Sequence, residues 1–152
     1  MKEDRLIKKK MQISLRRLMR HESGSDTVAR HLGISKLDFL IKMESLRQPD
    51  MNTDNFGLTW CVDHIVPLRL FDLTKPEDIS LAWNHNNLIP MYNDHNFEKE
   101  HCLHISEEIL SYQEKNEWTE KLMSVIKKNK VDFSLYNHKA NRPWLVKPAG
   151  LP

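Results

Sequence analysis

The amino-acid sequence predicts an α+β fold in which a small β-sheet is embedded among helices. Two segments, residues 58–68 and 86–91, are short and apolar, and we interpret them as strands. The flanking segments carry apolar residues at helical spacing, most clearly residues 5–20 and 106–129. With 152 residues, 39% of them apolar, the chain is long enough to bury its own core.

We divide the chain into three regions that we expect to form one compact unit. Residues 1–50 form a basic helical N-terminal region, residues 51–105 a central core, and residues 106–152 a C-terminal helix and basic tail. Within the core, Thr74 and Glu77 have the spacing of a capping box, which predicts a helix that ends near Trp83.

The N-terminal region is predicted to contain a helix over residues 5–20 and then a pair of helices over residues 26–46. Asp26 is the expected cap of the first helix of the pair, and Ser35 that of the second. The apolar residues expected on the buried side of the second helix are Leu37, Leu40, Ile41 and Leu46. The pair has the pattern of a helix-turn-helix, although a packing role is favoured because the second helix has few basic residues.

The net charge of +2 conceals a strong asymmetry along the chain. Residues 1–47 carry 12 basic and 6 acidic side chains, residues 48–120 carry 4 and 14, and residues 121–152 carry 7 and 1. Basic arms suit a polyanion such as nucleic acid, and an acidic centre suits a divalent cation. Solvated helix faces are the simpler explanation of such charge runs.

Several functional classes are excluded by what the sequence lacks. It has no apolar stretch of the length that spans a membrane, and we expect neither a membrane segment nor a secretory leader. Its two cysteines cannot form a disulfide framework, which favours a reducing compartment, the cytoplasm, or the host cytoplasm if the protein is viral. No glycine-rich nucleotide-binding loop is present.

The polar residues with the clearest chemical pattern lie between positions 60 and 99. Asp63 and His64 are placed at the end of the first strand, Asn87 in the second, and Asn96 and Lys99 shortly after it. Histidine can activate water near neutral pH, and carboxylate and amide oxygens suit a hard divalent cation. These are the requirements of phosphodiester hydrolysis.

The two stretches WCVDHIVPL and NLIPMYNDHNFEKE resemble the HNH endonuclease motif, which is built on a ββα-metal fold. HLGISKLDFLIKMES, MNTDNFG and the insertion FDLTKPEDISLAWNHNNLIPM are similar to a phage- and virus-type HNH subfamily. The resemblance runs from about residue 31 to residue 100. It implies a nuclease core over residues 51–105, with additional N-terminal and C-terminal helices.

The resemblance also implies a role for each of the five polar residues. Asp63 and Asn96 would bind one cation, for which Mg²⁺, or Mn²⁺ in its place, suits the oxygen ligands. His64 would be the general base, Asn87 would hold the loop that orients His64, and Lys99 would contact phosphate. The implied substrate is double-stranded DNA, which is cut to leave a 5′-phosphate and a 3′-hydroxyl.

Other residues are weaker candidates for the same site. His95 is a candidate phosphate donor, and Arg69 could hold the scissile phosphate, although a surface role is equally plausible for it. The tail residues Lys139, Arg142, Trp144 and Lys147 combine basic and aromatic side chains and suit contact with a nucleic-acid backbone.

The sequence is also compatible with two other functions and with more than one oligomeric state. The chain could be a non-catalytic DNA-binding protein that uses residues 26–46 on an HNH scaffold. It could instead be a structural zinc module that uses Cys61, Cys102 and two of the nearby histidines. Residues 107–129 could form a homodimer surface or belong to the core, and a monomer of the nuclease would nick one strand.

Overall fold

The computed structural model describes residues 2–93 together with residues 120, 121 and 124. Its helices and strands are, in chain order, α1 (Lys2–Met19), α2 (Asp26–Ala29), α3 (Lys36–Leu46), β1 (Trp60–His64), α4 (Pro76–Ala82) and β2 (Leu88–Tyr92). Two 3-10 turns, Leu68–Leu70 and His85–Asn87, lie between the strands. Helices around a two-stranded sheet confirm the predicted α+β class for this part of the chain.

The two strands pair antiparallel, with Trp60 opposite Tyr92 and His64 opposite Leu88. The predicted first strand extended to residue 68, but β1 ends at His64. Beyond His64, the Val66 amide donates its hydrogen bond to the Asn87 side chain and not to the backbone of a neighbouring strand. Pro67 then has no amide hydrogen for a ladder.

The N-terminal helix α1 packs on the core through one face. It begins at Lys2, three residues before the predicted start. Its buried residues recur at spacings of three and four, which places them on one side of the helix: Met11, Ser14, Leu15, Leu18 and Met19. The Ser14 hydroxyl also accepts a hydrogen bond of 3.0 Å from the Val28 amide, which ties α1 to α2.

The caps of the helix pair are partly as predicted. The Ser35 hydroxyl accepts a hydrogen bond from the Asp38 amide at the start of α3, which confirms that cap. The prediction for α2 was wrong, because the N-cap is Ser25 and Asp26 is the first helical residue. The Asp26 carboxylate instead forms an ion pair with Lys36.

The predicted buried face of α3 was also wrong in part. The buried residues are Phe39, Met43 and Leu46, whereas Leu37 and Ile41 are 67% and 55% exposed. The sequence of α3 offers two apolar stripes on opposite sides of the helix, since positions 37 and 39 lie about 200° apart. Periodicity could not decide which stripe packs, and the larger Phe39 is the one in the core.

The helix α4 starts differently from the prediction as well. No side chain caps it, and its first residue is Pro76, whose fixed φ favours the first helical turn. Thr74 does not form the expected capping box with Glu77, because its hydroxyl and amide both bond to Asp72 Oδ1. The helix ends at Ala82, one residue before the predicted end at Trp83.

The buried apolar side chains of all these elements form one cluster. Its largest fully buried members include Trp60 from β1, Trp83 from the end of α4 and Phe39 from α3. No helix in the described part of the chain has the length and apolar character needed to cross a membrane. The predicted helix over residues 106–129 and the basic tail fall almost wholly outside the described residues.

The register of α3 can be tested by truncating one residue from each of its apolar stripes. Phe39→Ala should lower the free energy of unfolding by about 3–5 kcal/mol, because it opens a cavity in the core. Leu37→Ala should change it by no more than about 0.5 kcal/mol, because that side chain is solvated. Urea unfolding followed by circular dichroism measures both, and equal losses would contradict this register.

Candidate functional site

The side chain of Asn87 holds the chain segment that follows His64. Its Oδ1 accepts a hydrogen bond of 2.8 Å from the Val66 amide, and its Nδ2 donates to the carbonyls of Val66 and Ala82 at 3.2 and 2.9 Å. The Asn87 carbonyl accepts from the Ile65 amide at 2.8 Å. These bonds are those expected of a residue that holds this loop, while a role of Asn87 in catalysis stays a prediction.

His64 is the last residue of β1 and is 7% exposed. Its imidazole meets the indole of Trp83 edge to face, with ring centroids 5.1 Å apart and planes at 88°. Such edge-to-face contacts between aromatic rings favour one relative orientation. The contact with Trp83 therefore restricts the orientation of the His64 ring, and the Asn87 bonds fix the chain segment that follows it.

A cavity of about 520 Å³ lies beside β1, and we call it the site cavity. Four consecutive residues of the strand line it: Cys61, Val62, Asp63 and His64. Asp63 and His64 therefore border the same space.

The other walls of the site cavity come from α1 and from the segments that flank the sheet. The α1 side contributes Gln12, Leu15, Arg16 and Arg20, and the remaining described lining residues are Phe56, Gly57 and Asn93. The Asn93 side chain donates hydrogen bonds to the carbonyls of Gly57 and Leu58, at 3.1 and 3.0 Å. None of these residues was predicted for the site, and the basic character of the N-terminal helix was the signal that could have indicated Arg16 and Arg20.

The helix pair α2–α3 supports the loop that carries Asn87. The His85 amide donates to the Leu32 carbonyl at 2.8 Å, and the Lys42 ammonium lies 2.9 Å from His85 Nδ1. Burial, and secondly the charge of Lys42, lowers the pKa of His85 to about 4. His85 is therefore neutral at physiological pH, and its Nδ1 can accept a hydrogen bond from the Lys42 ammonium.

The three basic residues of the α3 region are already engaged within the fold. Lys36 pairs with Asp26, Lys42 contacts His85, and Arg47 lies 3.5 Å from Glu44. A recognition helix needs side chains that can reach base edges in the major groove. These contacts favour a packing role for the helix pair over base recognition.

The chemistry of the site cavity fits a hard divalent cation in type. Its described donors include the Asp63 carboxylate and the Asn93 amide, and oxygen donors of this kind are those that Mg²⁺ and Mn²⁺ prefer. Among the described residues there is no cluster of three or more His, Cys, Asp or Glu side chains that could hold a metal. The second predicted ligand, Asn96, lies outside the described residues.

The structure brings together some of the predicted site residues. Asp63 and His64 share the site cavity, and Asn87 holds the loop behind them. Arg69 is exposed on the turn Leu68–Leu70 and is not among the described residues that line the cavity. The remaining predicted residues, His95 and Lys99 as well as Asn96, lie outside the described residues.

Comparison with known proteins gives one relative without a described activity. No family model matches the chain, and no solved structure matches it. An uncharacterized protein of Acanthamoeba polyphaga mimivirus is 31% identical over 85 residues, which are 56% of this chain. The chain spans 37% of the length of that curated relative.

The importance of the Asn87 hydrogen bonds can be measured as stability. Asn87→Ala should lower the free energy of unfolding by about 2–4 kcal/mol, because it leaves buried backbone groups of Val66 and Ala82 without a partner. Asn86→Ala is the matched control, since within the described residues the Asn86 side chain donates to the Asn84 side chain alone and to no backbone carbonyl. Chemical denaturation should show the smaller loss for Asn86→Ala, and the reverse order would contradict the assignment.

The low pKa of His85 predicts a loss of stability in acid. The unfolded chain takes up a proton near pH 6.5, but the folded chain does so only near pH 4. Folding is therefore penalised progressively as the pH falls from 6.5 to 4. His85→Asn removes the titrating imidazole. The melting temperature of this variant should therefore fall less between pH 6.5 and pH 4 than that of the natural protein.

The exposed His21 provides the control for the pH experiment. His21→Asn should keep the full pH dependence of the natural protein, since it leaves the His85–Lys42 contact intact. Carboxylate titration, and the lowered pKa of His31, are common to all three proteins. Parallel melting curves for natural protein and His85→Asn would show that His85 is not held neutral by the fold.

Proposed function

We propose that the chain is a metal-dependent DNA endonuclease with an HNH-type ββα-metal centre, which hydrolyses phosphodiester bonds in duplex DNA. The observation that carries the proposal is the placement of Asp63 and His64 at the end of β1 on one cavity, with Asn87 bonded to the segment behind them. The resemblance of the sequence to HNH endonucleases assigns roles to the same three residues.

In the proposed reaction, His64 takes a proton from a water molecule that attacks phosphorus. The new bond joins the water oxygen to phosphorus, the bond to O3′ breaks, and the O3′ leaving group takes up a proton, so that a 5′-phosphate and a 3′-hydroxyl result. A histidine suits this task because its ordinary pKa lies near neutral pH. The hydrogen bonds of Asn87 and the contact with Trp83 hold its ring in place.

A divalent cation, Mg²⁺ or Mn²⁺, when bound, would supply compensation for the negative charge that develops on the phosphate oxygens. Asp63 is the described residue that would hold it, with Asn96 as the second ligand that the resemblance implies. Lys99, His95 and Arg69 stay predicted phosphate contacts. We place the reaction in the cytoplasm of a host cell, in keeping with the viral relative.

One copy of this site has a single general base, and we therefore propose that a monomer nicks one strand. A double-strand break would need a homodimer or two successive cuts. The alternative of a DNA-binding protein that reads bases through α3 is less well supported, because Lys36, Lys42 and Arg47 are engaged within the fold.

The proposal predicts that cleavage and binding separate when His64 is replaced. His64→Ala should lower the rate of Mg²⁺-dependent plasmid nicking at least about 100-fold, the size expected for loss of a general base. Its affinity for a DNA duplex in EDTA should stay within about threefold of the natural protein, because binding rests mainly on positive charge.

His31→Ala is the matched control, since His31 is a histidine outside the site cavity that bonds to Ser80. It should nick DNA at a rate close to that of the natural protein. If natural protein fails to nick with either Mg²⁺ or Mn²⁺, or if His64→Ala nicks as fast, the proposed function is wrong. Equal loss of nicking and binding would show that His64 is structural.

A further inference from the structure

Three side chains of the N-terminal helix region form a row along the site cavity. Gln12, Arg16 and Arg20 are spaced four residues apart and therefore lie on one side of the helix. The Arg20 amide donates to the Arg16 carbonyl at 3.0 Å, so the helical path continues through Arg20 although α1 ends at Met19. The row shares the cavity with Asp63 and His64.

The core packing of α1 holds this row on the cavity. Leu15 and Leu18 are 5% and 3% exposed, and Ser14 bonds to the Val28 amide, so the helix cannot rotate about its axis without losing buried contacts. Position 16 then falls beside the buried face, at the boundary with solvent. The positive charges of Arg16 and Arg20 therefore lie at the site cavity, which Asp63 of the acidic central region also lines.

The guanidinium of Arg20 is held at the wall of the cavity. Its Cζ lies 5.8 Å from the centroid of the Phe56 ring, within the range of a cation–π contact. Phe56 in turn packs edge to face on Trp60, with ring centroids 5.0 Å apart. A Cβ atom at Gly57 would lie 3.1 Å from Arg20 Nη2, so a glycine at this position leaves room for the guanidinium.

Both arginines are exposed, and within the described residues neither guanidinium pairs with a carboxylate. Their charges are therefore available to an anion that enters the cavity. Arg17, the intervening arginine, does not line the cavity, and its guanidinium lies against Gly24 instead. The helix thus presents two of its three C-terminal arginines to the site.

We propose that Arg16 and Arg20 bind a backbone phosphate of the DNA strand that is cut, and so position the scissile phosphodiester beside Asp63 and His64. This inference rests on the proposed nuclease function and adds positioning residues to it. Arginine suits the task because its planar guanidinium can donate two parallel hydrogen bonds to one phosphate. The contact of Arg20 with Phe56 restricts the side chain before DNA binds, which lowers the entropic cost of binding.

The test replaces the charges and leaves the side-chain stems in place. The Arg16→Gln/Arg20→Gln double variant should bind a short fluorescent DNA duplex in EDTA about tenfold more weakly than the natural protein. Its affinity should also depend less on salt between about 50 and 200 mM, with the slope of log K against log [salt] smaller by about 0.9, because one phosphate is no longer neutralised. Arg17→Gln is the matched control and should leave that slope within about 0.5 of the natural value.

The Arg16→Lys/Arg20→Lys variant should have the salt slope of the natural protein, because it keeps both charges. Its KM for plasmid nicking should still exceed that of the natural protein, because a lysine ammonium cannot donate two parallel hydrogen bonds to one phosphate. Melting temperatures of all variants show whether the fold is intact. An unchanged slope in the double Gln variant, or an equal change in Arg17→Gln, would overturn the proposal. Natural protein that fails to nick would instead overturn the nuclease function and the positioning role with it, whatever the salt slopes are.

Discussion

The hydrogen bonds of the Asn87 side chain are the constraint on which the rest of the site depends. One buried amide satisfies the Val66 amide and the carbonyls of Val66 and Ala82, and so joins the end of β1 to the end of α4. Without them the chain beyond His64 would have buried backbone groups with no partner. The 3-10 turn that carries Asn87 is supported in turn by His85, through its bonds to Leu32 and Lys42. The helix pair is therefore part of the support for the site.

The site cavity combines opposite charges from two distant parts of the sequence. Asp63 belongs to the acidic centre of the chain, and Arg16 and Arg20 to its basic N-terminal region. A site that cuts DNA has to attract a polyanion and also to hold a cation near it. In the proposed nuclease, the arginines would face the DNA backbone and the carboxylate would face the metal ion, because both border one cavity. The net charge of +2 gives no hint of this arrangement.

Much of the fold could be predicted from local patterns, and the exceptions have physical reasons. Ser35 was predicted as a cap correctly because its signal is local, whereas the buried face of α3 depends on which of two apolar stripes finds a partner. Asp63, His64 and Asn87 were identified by residue type and spacing. Arg16 and Arg20 were missed as site residues because they border the same cavity as β1 although more than forty residues separate them from it in the sequence. The ring contact of Trp83 with His64 depends on tertiary packing, which local sequence patterns do not show.

We propose that the end of β1 forms a hard-cation site that serves hydrolysis. The decisive experiment is a crystal structure of the protein soaked with Mn²⁺, with the ion located from its anomalous scattering. We expect one ion in the site cavity, within coordination distance of an Asp63 carboxylate oxygen, with His64 close by but not bound to the ion. A cavity that stays empty at saturating Mn²⁺, or a zinc ion held by the Cys61 sulfur, would contradict the account.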